Sequence, residues 1–306
     1  MPRSRTLRLY LDAHVRARLE AGRHNFFAHV VGAFEDIGWR VRIRPDTRAE
    51  RARSYARPGY ALFHMERPTT RRSLTTRLAY TAPFWRIEAQ AERWKFEVST
   101  KRFDADQIDP DQAADFRRRT IKRLYPWVKT ETNKADYIYV PLQANLLRQR
   151  GFQAASPIDM LRDAVRRFPD RPIVVSLHPK VRYAEVERAE VADVLTGHSD
   201  AHLSKLSAEA LLPGARLVVT QNSSVAFLGY FLDVPAVLYG GIDFHHIAGN
   251  VAAVGVDQAF EEALQPEIPY AQYLYWFLKE NGLNAGAPDI RAAILERVRA
   301  HGRRVN

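Results

Sequence analysis

Apolar and polar positions along the chain fall into two alternating kinds of segment. Short apolar or β-branched runs at Leu7–Leu11, Arg40–Ile43, Tyr60–Phe63, Tyr137–Leu142, Ile173–Leu177, Arg216–Thr220 and Ala236–Tyr239 read as strands. Several are apolar without interruption, the mark of strands buried on both faces of a parallel sheet. Between them lie helical spacings. Asn25–Ile37 stops at Gly38. Asp109-Pro110 supplies a cap and a first-turn proline for a helix reaching about Tyr125. Ser156-Pro157-Ile158-Asp159 fits a capping box opening a helix to Phe168. Shorter helices follow near Ala184–Ala192, Ser207–Leu212, Ser224–Leu232 and Asp257–Leu264, and Tyr270–Leu283 and Asp289–His301 close the chain. Thr81–Thr100 is rich in aromatics and fits neither pattern.

Strand–helix alternation predicts an α/β fold with parallel sheets. The loop after Gln143 is the expected boundary. It divides residues 1–145 from residues 146–306, both terminal helices falling in the second domain. The chain, at 306 residues, has length enough for two such domains with a cleft between them. Its start, Met1-Pro2-Arg3-Ser4-Arg5, runs directly into a strand pattern with no signal-type apolar region. No apolar stretch approaches the roughly 20 residues that span a bilayer, so a cytoplasmic protein is expected. With no cysteine, disulfides and thiolate metal sites are excluded. The net charge of +11 implies attraction to polyanions or to an anionic membrane surface. An arginine-rich surface accounts for any one basic cluster equally well. Zinc-finger spacing and RNP-type aromatic strands are missing, so no specific nucleic-acid partner is expected.

Two motifs carry the candidate chemistry. Val174-Val175-Ser176-Leu177 ends in His178-Pro179-Lys180, and Leu217-Val218-Val219-Thr220 ends in Gln221-Asn222-Ser223-Ser224. Ligands of open α/β sheets sit at the carboxyl ends of strands. Proline holds the residue before it extended, which sets His178 outside the sheet as a donor to a phosphate oxygen, with Lys180 as a compact cation. A plain His-Pro turn with a surface lysine explains the tripeptide alone. Ser223 and Ser224 suit a helix cap beside an anion, and Gln221 and Asn222 are more than capping requires. Gly240-Gly241 admits close approach of a ligand or makes a tight turn. The adjacent His245 and His246 point apart and make a poor metal pair, so no metal is expected.

Taken in order, these pieces resemble the capsule polysaccharide biosynthesis family, which includes bacterial Kdo transferases. The resemblance runs through Tyr139-Val140-Pro141-Leu142-Gln143, Leu177-His178-Pro179-Lys180 and Thr220-Gln221-Asn222-Ser223-Ser224-Val225-Ala226-Phe227. It continues in Val234-Pro235-Ala236-Val237, Tyr239-Gly240 and Phe244-His245-His246, covering roughly residues 137 to 250. It implies a GT-B-like fold of two Rossmann-like domains, the second binding a CMP-activated sugar. On that reading His178 and Ser223/Ser224 contact the donor phosphate. Lys180, Gln143, Gln221, Asn222, Gly240, His245 and His246 belong to the same donor side. The implied partners are a nucleotide-sugar donor, used as substrate with no further cofactor, and a glycan or lipid-linked glycan acceptor at the inner membrane face. Relatives often carry a Val-Gly pair in the serine helix, with Glu two positions after the Gly; here Val225-Ala226 and Leu228 stand there. They also often carry Asp shortly after the Pro-Leu-Gln element, where this chain reads Ala144-Asn145-Leu146. A CDP-glycerol-type phosphotransferase, a nucleotide-sugar epimerase and a non-catalytic nucleotide- or glycan-binding relative remain as alternatives. For the acceptor's base, Asp12 after the first strand and Glu88 in the aromatic segment are favoured over His64 and Glu66, which follow the third strand; Trp85 is expected in the core.

Overall fold

The structure is a computed structural model describing residues 4–126 and 135–305; the leading Met1-Pro2-Arg3 lies outside the described residues. The chain builds two six-stranded sheets. The strands β1 (Thr6–Leu11), β2 (Arg40–Pro45), β3 (Tyr60–His64), β4 (Ser73–Leu78) and β5 (Phe84–Glu88) start the first. The second holds β6 (Tyr137–Leu142), β7 (Ile173–Leu177), β8 (Ala201–Leu203), β9 (Ala215–Thr220), β10 (Ala236–Leu238) and β11 (Gly249–Asn250). The last strand, β12 (Leu283–Asn284), returns to the first sheet. The expected α/β class of two Rossmann-like halves is thus what the chain adopts.

The second sheet has the order β11-β10-β9-β6-β7-β8 and is parallel throughout. Its strands are apolar because both faces are covered: Ile138, Val140, Val175, Leu217 and Val219 are fully buried. The first sheet has the order β12-β5-β4-β3-β1-β2. It is parallel from β2 to β4 and antiparallel at β5 and β12. Leu7, Leu9 and Leu11 of β1 point into a core shared with helix Asn25–Asp36 and helix Ile290–Ala300. The caps read from sequence form as expected: Asp109 Oδ1 accepts from the Gln112 N–H at 2.9 Å, and Ser156 Oγ from the Asp159 N–H at 3.2 Å.

The domain boundary after Gln143 is corrected. The chain divides into one compact unit of residues 1–101 and 277–306 and another of residues 102–276. Gln143 follows β6, a central strand of the second sheet, so no boundary can fall there. The last helix also leaves the second domain to which its position assigned it. Its Ile290, Ile294, Leu295 and Val298 are buried against Phe26, Phe34 and Leu7 of the first unit. The segment read as one helix to Leu283 ends as helix at Tyr275 and continues as a π-helical turn, Trp276–Glu280, before β12. Gly282 permits the turn, since a Cβ there would stand 2.4 Å from the Leu278 carbonyl oxygen. Leu283 and Asn284 then pair with Trp85 and Phe84. No helix among the described residues is long and apolar enough to cross a membrane.

Candidate functional site

The carboxyl ends of β6, β7 and β9 open into a cavity of about 640 Å³ in the second unit. That volume lies within the range of small-molecule sites, roughly 300–1,000 Å³. Pro141, Leu142 and Leu177 give it apolar surface, and Gln143, His178, Ser223 and Ser224 are polar groups on its wall. The two sequence motifs therefore meet at one site, because β6 lies between β7 and β9 and all three run in parallel.

His178 is held from both ends. Its backbone N–H donates to the Tyr183 hydroxyl at 2.9 Å, and that hydroxyl donates onward to the Leu142 carbonyl at 3.4 Å. Its Nδ1 accepts the Lys180 backbone N–H at 3.2 Å. A neutral imidazole whose Nδ1 accepts must carry its proton on Nε2. Nε2 makes no hydrogen bond among the described residues, which leaves one N–H donor for a ligand. Ser223 Oγ caps the next helix by accepting from the Val225 N–H at 3.3 Å, which leaves its own O–H to donate. Ser224 is exposed, and its hydroxyl has no partner among the described residues. That helix, Ser224–Gly229, is only six residues long, so the two hydroxyls rather than a helix dipole are what the wall offers an anion.

Sequence reasoning missed two parts of the wall. Tyr139 is wholly buried and shares a 2.8 Å hydrogen bond with Ser176. Burial pushes the Tyr139 phenol up, against the Ser176 bond, so it stays protonated. The segment Leu203–Glu209 forms another side, bringing Lys205 and Glu209 to the cavity and leaving Leu203 and Leu206 exposed on its rim. The Ser207 cap was legible as the start of a short helix, but its position beside β7 depends on β8, a strand of three residues.

Several expected donor residues stand elsewhere. The Lys180 side chain is exposed and off the cavity wall; its backbone, not its charge, serves His178. Gln221 is fully buried, and its Nε2 donates to the Ala155 carbonyl at 3.2 Å. Asn222 is also off the wall. It takes its place in the chain's own bonding, with Nδ2 donating to the Gly241 carbonyl at 3.2 Å and its N–H donating to Gln143 Oε1 at 3.3 Å. Gly240 is needed by the chain rather than by a ligand, since a Cβ would stand 3.1 Å from the Gln221 carbonyl oxygen. His245 and His246 do not point apart as expected: their rings stack at 4.3 Å, and His246 Nδ1 meets the Tyr273 hydroxyl at 3.0 Å. His246 borders a different, open hollow with Arg102 and Glu262. Among the described residues, no three His, Asp or Glu side chains gather to hold a metal ion.

In the first unit, Asp12 ends β1 and caps helix Ala13–Glu20, Oδ1 accepting from the Val15 N–H at 2.9 Å. Its Oδ2 faces His64 Nδ1 at 3.2 Å. Burial opposes the Asp12 charge, but Val15 and His64 outweigh it and hold the carboxyl below its usual range. Burial also keeps His64 below the usual imidazole range, against the pull of Asp12. The Asp12 side chain is 51% exposed, open to a substrate hydroxyl. Glu88 is not: it is 3% exposed, and its Oε2 accepts the Glu97 N–H at 3.2 Å. Glu88 is therefore corrected from base candidate to buried structural carboxyl, pushed up by burial to about 7. Trp85 stacks on Phe26 at 4.5 Å, in the core as expected.

Comparison with solved structures bears on the fold. Thermosulfurimonas dismutans KpsC, beta Kdo 2,7 transferase, aligns with a TM-score of 0.51 at 13% identity, over 95% of this chain and 99% of that one. The beta Kdo 2,4 transferase of the same KpsC gives 0.44 at 11% identity, over 88% of each chain. The UDP-GlcNAc 2-epimerase of Neisseria meningitidis bound to UDP-GlcNAc gives 0.36 at 11% identity, over 96% of this chain and 99% of that one. No family model matches the chain, and no curated protein does. The first likeness extends across both units, so the fold is GT-B-like as the sequence motifs implied.

Proposed function

We propose that the protein is a glycosyltransferase that moves a sugar, an acidic one such as Kdo, from a CMP-activated donor to a capsule or other surface-glycan acceptor. The observation that carries this reading is that His178, with its Nε2 unbonded, and Ser224 line one cavity. Two preset donors at the mouth of parallel strands suit the phosphate of a nucleotide. The exposed Leu206 and the aliphatic Leu177 offer apolar surface for its base.

In the reaction, the bond between the sugar's anomeric carbon and the donor phosphate oxygen breaks, and a bond from that carbon to an acceptor oxygen forms. CMP leaves with the electron pair. His178 Nε2–H and Ser224 Oγ–H stabilise the charge growing on the phosphate. The acceptor hydroxyl gives up its proton to a general base as the new bond forms. The acceptor, carried on a lipid, holds the enzyme at the inner membrane face.

The test measures CMP released from CMP-sugars by the wild type and by His178→Ala. Loss of one preorganised donor of this kind costs about 10²–10³ in turnover. The expected outcome is that loss with an unchanged melting temperature, since the His178 side chain is exposed. A wild type that turns over a UDP-sugar without acceptor would replace this reading with an epimerase. One that binds CMP and consumes no donor would replace it with a binding protein.

A further inference from the structure

The outer end of the first sheet gathers charge that the cavity of the second unit does not use. In the register of β1 and β2, Thr6 lies beside Arg40, Arg8 beside Arg42 and Tyr10 beside Arg44. Side chains alternate along a strand, so Arg8, Arg40, Arg42 and Arg44 share the face opposite the buried leucines of β1. Arg57 joins them, its Nη1 donating to the Tyr10 hydroxyl at 3.2 Å. The acid in contact is Glu50, and it is already committed to two arginines: Arg57 at 2.5 and 3.1 Å and Arg53 at 2.8 Å. The side chains of Arg40, Arg42 and Arg44 make no hydrogen bond or ion pair among the described residues. The Nε atoms of Arg8 and Arg44 are buried without a partner. Burial, and then the nearby Arg57, Arg44 and Arg42, depress Arg8 below the ordinary guanidinium range, with Tyr10 opposing.

Like charges brought together with so little counter-charge repel, and a bound anion relieves both the repulsion and the orphaned donors. The guanidinium fork matches a phosphate's paired oxygens. Because β2 is the edge strand, no further strand among the described residues covers its outer side. Alternate residues along it stand about 6–7 Å apart, room for neighbouring phosphates. We propose that this arginine face of β1 and β2 is a phosphate-binding site, for the headgroups of anionic lipids or for a soluble phosphate ester. It does not depend on the catalytic reading of the second unit.

The test uses the full chain, an Arg42→Gln/Arg44→Gln variant, and an Arg119→Gln/Arg188→Gln control of equal net charge. Each is mixed with vesicles of phosphatidylcholine alone, or of equal parts phosphatidylcholine and phosphatidylglycerol. In parallel, melting is followed in pyrophosphate against sodium chloride of matched ionic strength. We expect the Arg42/Arg44 variant to bind the phosphatidylglycerol vesicles about thirtyfold more weakly, the effect of two basic residues beside an anionic surface, while the control stays near wild type. That result assigns lipid headgroups. Stabilisation by pyrophosphate that the variant loses, with no vesicle binding, assigns a soluble phosphate. If the wild type responds to neither probe, or if both variants lose equally, the site does not exist and only net charge is at work.

Discussion

At the scale of single residues, the chemistry that survives is that of groups whose partners leave an atom unused. His178 was legible as a strand-end histidine before proline. Its tautomer was not, because the lock is the Lys180 backbone N–H and the Tyr183 hydroxyl, and neither shows in a residue pattern. Gln221 and Asn222 misled for the converse reason. Amides that looked surplus to a helix cap are spent on the Ala155 and Gly241 carbonyls of neighbouring loops. Glu88 gives a residue-scale prediction. Its carboxyl rises from an ordinary 4.5 to about 7 because burial penalises the charge. The folded state then binds more protons than the unfolded one between those values. Stability is full below about pH 4.5 and falls by about 3 kcal/mol as the pH rises through about 7. Glu88→Gln keeps an acceptor for the Glu97 N–H without the charge. Melting followed against pH is expected to show the variant more stable than wild type at about pH 8 and nearly equal to it at about pH 4.5. Equal melting at both would mean that the carboxyl is hydrated in solution.

Among the secondary-structure elements, long apolar runs declared themselves and short or polar ones did not. The strands β6, β7 and β9 were read from sequence because both faces of the second sheet demand apolar side chains. The strand β4 was missed because its buried Ser73, Thr75 and Thr76 are polar, and Thr75 and Thr76 bond to the Phe63 carbonyl instead of avoiding burial. The two-residue strands β11 and β12 carry no period at all. Helix Ile290–Ala300 was recognised but assigned to the wrong unit, because an apolar stripe shows that a helix packs, not against what. Its true partner is tested by Ile294→Ala, a fully buried site in the first core. Such a truncation costs about 2–5 kcal/mol. Hydrogen exchange is expected to accelerate in helix Asn25–Asp36 and spare β9. Acceleration in β9 instead would return the helix to the second unit.

For the molecule as a whole, the alternation of strand and helix settled the α/β class, and the ordered motifs pointed to the GT-B-like fold that a solved Kdo transferase shares. The net charge of +11 predicted only an attraction to anions; the register of β1 and β2 adds where four of the arginines share one face. The domain boundary was out of reach because a chain that returns to its first sheet after residue 276 leaves no local mark of doing so. The central claim is that the cavity at the ends of β6, β7 and β9 is where a CMP-activated donor sits. Hydrogen–deuterium exchange with and without CMP tests it most directly. The account predicts slower exchange in residues 176–183, 203–209 and 222–225, with residues 245–248 unchanged. Protection centred on residues 245–248, or none anywhere at saturating CMP, would contradict it.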